Sequence, residues 1–314
     1  MPDTITINKH KIDPGEQKEI QLNIARLPTY TNIDLPVHVF RAEEEGPGLL
    51  LTGALHGDEL NGVEIIRRMV SKKMLIPQKG TVIAIPIVNV YGFIQNVRGL
   101  PDGKDINRSF PGVKGGSLAR LLAYTLMNEI VPKIDYGIDF HTGGSARANY
   151  PQIRCVLDDE ENLELARAFD APFTIHSSLI DKSFRKAAHK KGKHILVFET
   201  GESTRFDEPG IQEGIDGTLR LMKYLGMKEG EPETDHETEI YKKTTWVRAK
   251  YAGLFQPKVE LGEKVNKKQI LGHITDPYGN ERFKAVAPQT GRIIGLNYAP
   301  VVHKGDALLH LAYQ

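Results

Sequence analysis

Apolar positions along the chain follow two different periods. Thr4–Asn8 and Ile20–Ala25 alternate apolar and polar residues as half-buried strands do, so the first ~45 residues read as β-rich. From about residue 48 the pattern changes. Nearly continuous apolar runs at Leu49–Leu55, Val82–Val90, Tyr136–Phe140 and Ile195–Phe198 have the character of strands buried on both faces. Between them the period is helical. Leu118, Leu122, Leu126 and Ile130 recur at i+4, with Ser117 placed as an N-cap and Pro132 after the stripe. Ile211, Ile215, Leu219 and Met222 make a second stripe that ends near Gly226, and Leu60, Val63, Ile66 and Val70 make a third. Strands alternating with helices predict an α/β layered architecture.

The stretch 228–239 is acidic with almost no apolar content, and it reads as a linker or exposed crossing. Helical periodicity stops after it. The remaining ~75 residues are short β segments punctuated by Gly262, Gly272, Gly279, Gly291, Gly295 and Gly305. The expected organisation is therefore a larger unit over 1–230, a linker over 231–243 and a small all-β domain over 244–314. The length of 314 residues, at roughly 150 per domain, agrees with about two domains.

Composition narrows the function classes. Lys plus Arg number 41 and Asp plus Glu 40, a net +1, so there is no electrostatic reason to expect nucleic acid or an anionic membrane as partner. No apolar run approaches the ~18–20 residues that cross a bilayer. Met1-Pro2-Asp3-Thr4-Ile5 lacks the basic and apolar regions of a signal peptide, which makes a cytoplasmic setting the default expectation. The single cysteine, Cys155, excludes an intrachain disulfide and a Cys-rich zinc site. Any transition metal must be held by carboxylates and by some of the 11 histidines.

His56-Gly57-Asp58-Glu59 carries the strongest local signal. His56 follows the run Leu49–Leu55, and Glu59 is expected in the first turn of the next helix, so both side chains converge beyond the strand end. Imidazole and carboxylate suit Zn²⁺, and a catalytic zinc needs three protein ligands. His141, at the end of Tyr136–Phe140, is the best third ligand, because ligands in open α/β sheets gather beyond the carboxyl ends of strands. Glu199 follows Ile195–Phe198 at the same end, where a carboxylate serves as general base to an activated water. The loop beyond Val82–Val90 supplies Arg98 and the stretch Asp105-Ile106-Asn107-Arg108-Ser109-Phe110-Pro111-Gly112. A guanidinium there suits a substrate carboxylate, and a second suits a polarised carbonyl. Each piece alone has an ordinary structural explanation, as a loop histidine, a helix cap or a solvated arginine. The joint placement of His56, Glu59, His141, Glu199 and Arg108 at the ends of separate strands does not.

The order of these blocks resembles the succinylglutamate desuccinylase/aspartoacylase family of the zinc carboxypeptidase-like superfamily, over roughly residues 45–205. The resemblance rests on Gly53–Glu59, Asp105–Gly112, Asp139-Phe140-His141-Thr142 and Glu199-Thr200-Gly201. It implies a mixed α/β sheet flanked by helices with a C-terminal β domain, and one zinc ion on His56, Glu59 and His141. It implies Glu199 as the base that returns its proton to the leaving amine. It further implies Asn107 and Arg108 as binders of the substrate α-carboxylate, with Arg98 similar to the arginine that steadies the carbonyl oxygen. Arg147, Arg154 and Arg185 are candidates for a second carboxylate, and Arg154, in a β-like run near His141, is the best placed. Asp139, two residues before His141, is a candidate to orient that ring.

The C-terminal segment, with Trp246–Ala249, Gly262–Val265, Ala287–Gly291 and Gly305-Asp306, resembles a barrel-sandwich domain of the biotinyl/lipoyl type. Its expected hairpin tip, Asp276-Pro277-Tyr278-Gly279-Asn280, holds no lysine, so a structural role is expected rather than a carrier role. No Gly-x-Ser-x-Gly elbow, phosphate loop or His-Glu-x-x-His occurs. The expectation is a zinc-dependent deacylase acting on a small N-acylated, carboxylate-bearing amide. A metallocarboxypeptidase acting on short peptides and a non-catalytic zinc- or carboxylate-binding protein are the alternatives. The oligomeric state stays open.

Overall fold

The computed structural model describes residues 3–26, 29–230, 232–234 and 236–314. Two residues of the acidic stretch, Glu231 and Asp235, and four of the expected first unit, Met1, Pro2, Leu27 and Pro28, lie outside the described residues. A small hairpin, β1 (Ile5–Ile7) with β2 (His10–Ile12), precedes the long antiparallel pair β3 (Gln17–Arg26) and β4 (Asn32–Arg41). The strands that carry the site follow: β5 (Glu44–Thr52), β6 (Lys79–Ile85), β7 (Tyr136–Gly143), β8 (Arg147–Cys155), β9 (Phe173–His176) and β10 (His194–Glu202). Between and after them lie α1 (Asn61–Ser71), α2 (Val90–Gln95), α3 (Leu118–Thr125), α4 (Glu160–Phe169), α5 (Phe184–His189) and α6 (Glu208–Tyr224). The C-terminal part is all β: β11 (Glu239–Tyr241), β12 (Lys243–Arg248), β13 (Gly253–Pro257), β14 (Lys264–Val265), β15 (Ile270–Thr275), β16 (Arg282–Val286), β17 (Gly291–Asn297), β18 (Val301–Val302) and β19 (Ala307–Tyr313).

Among the described residues, one 13-stranded sheet runs in the order β12-β19-β17-β8-β10-β7-β5-β6-β4-β3, with β9, β11 and β14 joined beside it. Its centre, β10-β7-β5-β6, is parallel, and its flanks are antiparallel. The mixed sheet with helices and an added antiparallel β region is the architecture expected from the sequence. Alternation explains why the central strands look continuously apolar. In β5, Leu49 and Leu51 join Ile65, Ile66 and Met69 of α1 on one face, while Leu50 joins Leu122 and Leu126 on the other.

Several local expectations shift. The run Val82–Val90 divides: β6 ends at Ile85, Pro86 follows, and Asn89 caps α2 by accepting from the Gly92 amide at 2.9 Å. The α1 stripe is Ile65, Ile66 and Met69, with Val63 and Val70 only half-buried, because Gly62 sets the face that meets β7. A Cβ at Gly62 would stand 2.5 Å from Phe140 Cβ. Ser117 precedes α3 as expected, yet its hydroxyl makes no capping bond. The stripe Ile211, Ile215, Leu219, Met222 lies on α6, and Gly226 follows with φ +67°.

Three C-terminal strands, β12, β17 and β19, extend the main sheet, so the C-terminal segment is stitched to the rest through β17–β8 pairing. Where the acidic stretch ends, β11 pairs in parallel with β9. Phe173, Ile175, Tyr241, Ile294 and Ala312 form an apolar cluster at this junction. The other C-terminal strands form a four-stranded sheet, β16-β15-β13-β18, over its own core around Phe255, Leu271 and Leu308. Among the described residues no helix is long and apolar enough to cross a membrane.

His310 on β19 gives this junction a pH signature. It is 6% exposed, and burial followed by the nearby Arg154 charge pushes its pKa down to about 3. An unfolded histidine titrates near ~6.5, so between these values the unfolded chain takes up a proton that the folded chain refuses. Stability is therefore full above about pH 6.5 and declines as pH falls toward 3, by at most about 1.4 kcal/mol per pH unit from this group. His310→Phe is expected to show a shallower loss of urea resistance between pH 7 and 5 than the wild type. Parallel losses in the two proteins would remove His310 from this account.

Candidate active site

The carboxyl ends of the parallel strands build the site. After β5 the chain is held to the segment beyond β6: Gly53 N donates to Ile85 O at 2.9 Å and Asn89 N to Ala54 O at 2.9 Å. Gly57 then passes so close to α2 that a Cβ would stand 2.0 Å from the Gly92 carbonyl carbon. Glu59 N closes a turn on His56 O at 3.2 Å, and α1 begins at Asn61. Glu59 thus sits in the turn before the helix rather than in its first turn. His141 and Glu199 likewise lie on β7 and β10 themselves rather than beyond them, and the parallel register sets them side by side.

His56, Glu59 and His141 are all buried, and one ligand atom of each lies within 4.8 Å of the others. Glu59 Oε1 meets His56 Nδ1 at 2.8 Å, and Oε2 meets His141 Nδ1 at 2.9 Å. The far ring nitrogens are held by carboxylates, His56 Nε2 by Asp105 at 3.2 Å and His141 Nε2 by Asp139 at 2.8 Å. Thr52 Oγ1 in turn donates to Asp139 at 2.8 Å from the neighbouring strand. With Nε2–H given to a carboxylate, each Nδ1 lone pair is aimed at the shared point, which is how ligating histidines are oriented. Burial alone would raise the Glu59 pKa, but the two imidazoles hold it well below the carboxylate range. Burial would lower both histidines, yet for His56 the Glu59 and Asp105 carboxylates win, and for His141 those of Asp139 and Glu59, so both pKa values rise. Two imidazoles and a carboxylate, buried, convergent and backed, fit a divalent metal ion.

A cavity of about 490 Å³ opens on this cluster. All the residues singled out in the sequence, His56, Glu59, Arg98, Asn107, Arg108, His141, Arg154 and Glu199, line it, as do Arg147 and Arg185. Glu199 accepts from Asn149 Nδ2 at 2.7 Å and faces Arg154 Nη1 at 3.4 Å. Arg98 reaches Glu59 at 3.2 Å and Asp105 at 3.0 Å, so its guanidinium stands at the cluster. Asn107 Oδ1 accepts from Phe184 N at 2.9 Å, which turns the Asn107 side chain to a fixed orientation beside Arg108. Asp58 Oδ1, Thr142 Oγ1 and Arg154 Nε, all on cavity-lining residues, are buried without a hydrogen-bond partner among the described residues. Such atoms mark a cavity shaped for a polar occupant.

Arg185 is occupied by the carbonyls of Arg154, Ser177 and Ser178, and burial lowers its pKa to about 10. Cys155 is buried and its thiol is pushed up to about 12 by burial, which leaves it an inert packing residue. Four supporting residues had not been singled out by role. Asn89 holds the carbonyls of Arg98 and Gly99 at 3.2 Å each. Asn61 ties α1 to Thr200 O at 3.2 Å and to Asp207 N at 2.9 Å, beside Glu199. Asp105 backs His56, and Asn149 holds Glu199. Asn61, Asn89 and Asp105 stand at the starts of helical turns, a signal that also marks ordinary caps, whereas Asn149 lies inside β8 and gives no local signal.

A family model for the succinylglutamate desuccinylase/aspartoacylase catalytic domain matches residues 45–225. The chain is 31% identical over 295 residues to an N-alpha-acetyl-L-2,4-diaminobutyric acid deacetylase of Halomonas elongata, covering 88% of this chain and 85% of that one. Its fold is similar to a succinylglutamate desuccinylase/aspartoacylase crystal structure from Rhodobacter sphaeroides, with TM-score 0.86, 26% identity and coverage of 100% and 99%. The product-bound ectoine utilization protein EutE (DoeB) of Ruegeria pomeroyi also has TM-score 0.86, at 22% identity over 100% of both chains. The chain belongs to the succinylglutamate desuccinylase/aspartoacylase family. It is an amide hydrolase of that type, a deacylase with a His/Glu/His metal site.

Proposed function

We propose that this deacylase is zinc-dependent and hydrolyses the amide of an N-acylated α-amino acid. The observation that carries the reading is the convergence on one cavity of three buried groups able to hold a metal, a held carboxylate and several arginines. Bound zinc would polarise the scissile carbonyl and make water a better nucleophile near neutral pH. Every other step falls to the chain's own residues. Glu199 takes a proton from the attacking water at its carboxylate and passes it to the leaving amine. Asn149 and Arg154 keep that carboxylate in place. Arg98 steadies the charge that grows on the carbonyl oxygen. Asn107 and Arg108 hold the α-carboxylate, and Arg154 borders the substrate beside Glu199. The division near 231–243 enters the reading as the boundary between the catalytic part and the β part.

The deacetylase activity in the name of the Halomonas elongata relative makes acetyl the first acyl group to test. The experiment combines metal analysis with an amine-release panel of N-acetyl and N-succinyl amino acids, including N-acetylated 2,4-diaminobutyric acid, alongside short peptides. About one zinc per chain with release from an N-acyl amino acid is expected. Release from peptides alone would replace this reading with a carboxypeptidase, and retained zinc without any release would replace it with a binding protein.

A further inference from the structure

We propose that Trp246, supplied by the C-terminal β segment, is the acyl-facing wall of the active site and restricts the enzyme to short acyl groups. The inference rests on the deacylase reading above and adds the residue that sets acyl length.

Trp246 is the chain's one tryptophan and lies beyond the 45–225 catalytic match, yet its indole lines the same cavity as His56, Glu59 and His141. The main sheet puts it there. Trp246 on β12 is opposite His310 on β19, His310 is opposite Gly295 on β17, and Gly295 is opposite Asn149 on β8. One row across four strands thus joins the indole to the asparagine that holds Glu199. Glycine at 295 lets the row close: a Cβ there would meet Asn149 Oδ1 and His310 Cβ, each at 3.1 Å.

The indole is held in place. The His310 ring stacks on it at 4.1 Å and 6°, buried and uncharged at neutral pH. The Arg147 guanidinium sits over the indole at 5.7 Å, with Nε bonded to Gly144 O at 3.0 Å. In the sheet order, β12 lies on one side of the metal-bearing strands β7 and β5, and β6, which leads into the Asn107–Arg108 loop, lies on the other. A substrate with its carboxylate at Arg108 and its amide at the metal cluster extends its acyl group toward Trp246. Most of the lining residues are charged or hydrogen-bonding, and the indole stands among them as an apolar ring beside the aliphatic Ile180 and Val197. An acyl carbon chain therefore packs on an aromatic wall that cannot retreat. One methylene too many against such a wall is worth roughly 10–200-fold in kcat/KM.

The test compares acetyl, butyryl and hexanoyl derivatives of the best-accepted amino acid in the wild type, Trp246→Phe and Trp246→Ala. The hexanoyl-to-acetyl ratio of kcat/KM is expected to rise by about tenfold or more in Trp246→Ala, with Trp246→Phe between. An unchanged ratio overturns the role of Trp246, whereas a wild type that releases amine from no N-acyl amino acid fails the deacylase reading itself. Tryptophan emission gives a second readout that needs no Trp246 variant. In Glu199→Gln, N-acetyl amino acid is expected to change the emission and the free amino acid to leave it unchanged. An equal response to both, or none to either, overturns the proposal.

Discussion

Glu199→Gln is expected to lower kcat by roughly 10²–10⁴-fold while zinc content and the thermal midpoint stay at wild-type values. The glutamine amide has the shape of the carboxylate, and its oxygen accepts the same bond that Asn149 Nδ2 gives Glu199 at 2.7 Å. What it cannot do is take a proton. The facing Arg154 at 3.4 Å loses an ion-pair partner, but that pair lies at the cavity wall, where substrate and water replace the contact. A loss confined to kcat, with KM nearly constant, assigns the residue to the chemical step. Steady-state amine release beside metal analysis makes the measurement. A kcat within about tenfold of wild type would leave the proton transfer to another group.

The second large effect is expected from Glu59→Gln: zinc retained after dialysis should fall from about one ion per chain to about a tenth of that, with hydrolysis falling in proportion. Glu59 is 2% exposed and touches both imidazoles, so its carboxylate charge is set between the two Nδ1 atoms. The neutral amide supplies a weaker oxygen donor and turns an N–H₂ group toward one of the ligating nitrogens. Asp105 and Asp139 still orient the rings in this variant, so the folded structure survives and the loss is specific to the ion. Full zinc retention would show that His56 and His141 hold the ion with another partner, and the three-ligand site would have to be redrawn.

The two effects separate what binds the metal from what moves the proton, and the sequence distinguished them to unequal degrees. His56 and His141 were legible because each stands at the end of an apolar run, and the sheet gathers such ends, and Glu59 because it follows His56 at a spacing of three. Glu199 was legible for the same reason as the two histidines. The α1 face was misread because its packing is decided by Gly62 against Phe140, a contact between segments far apart in the chain. The short helices α2, α4 and α5 were not anticipated, since runs of 6, 10 and 6 residues show too little periodicity to stand out.

Residue order alone was enough for whatever local physics governs. It placed the central apolar strands, the stripe of α6 and the candidate residues at the strand ends, because each depends on spacing along one segment, and composition left a single thiol in the chain. The tertiary structure decided which groups support them. Asp105 behind His56, Asn149 behind Glu199 and Trp246 on the cavity wall are brought in from other strands and loops. Their positions depend on strand order and register, which arise from burial of both sheet faces and from backbone pairing between distant segments. A periodicity read along one stretch of chain does not encode those pairings.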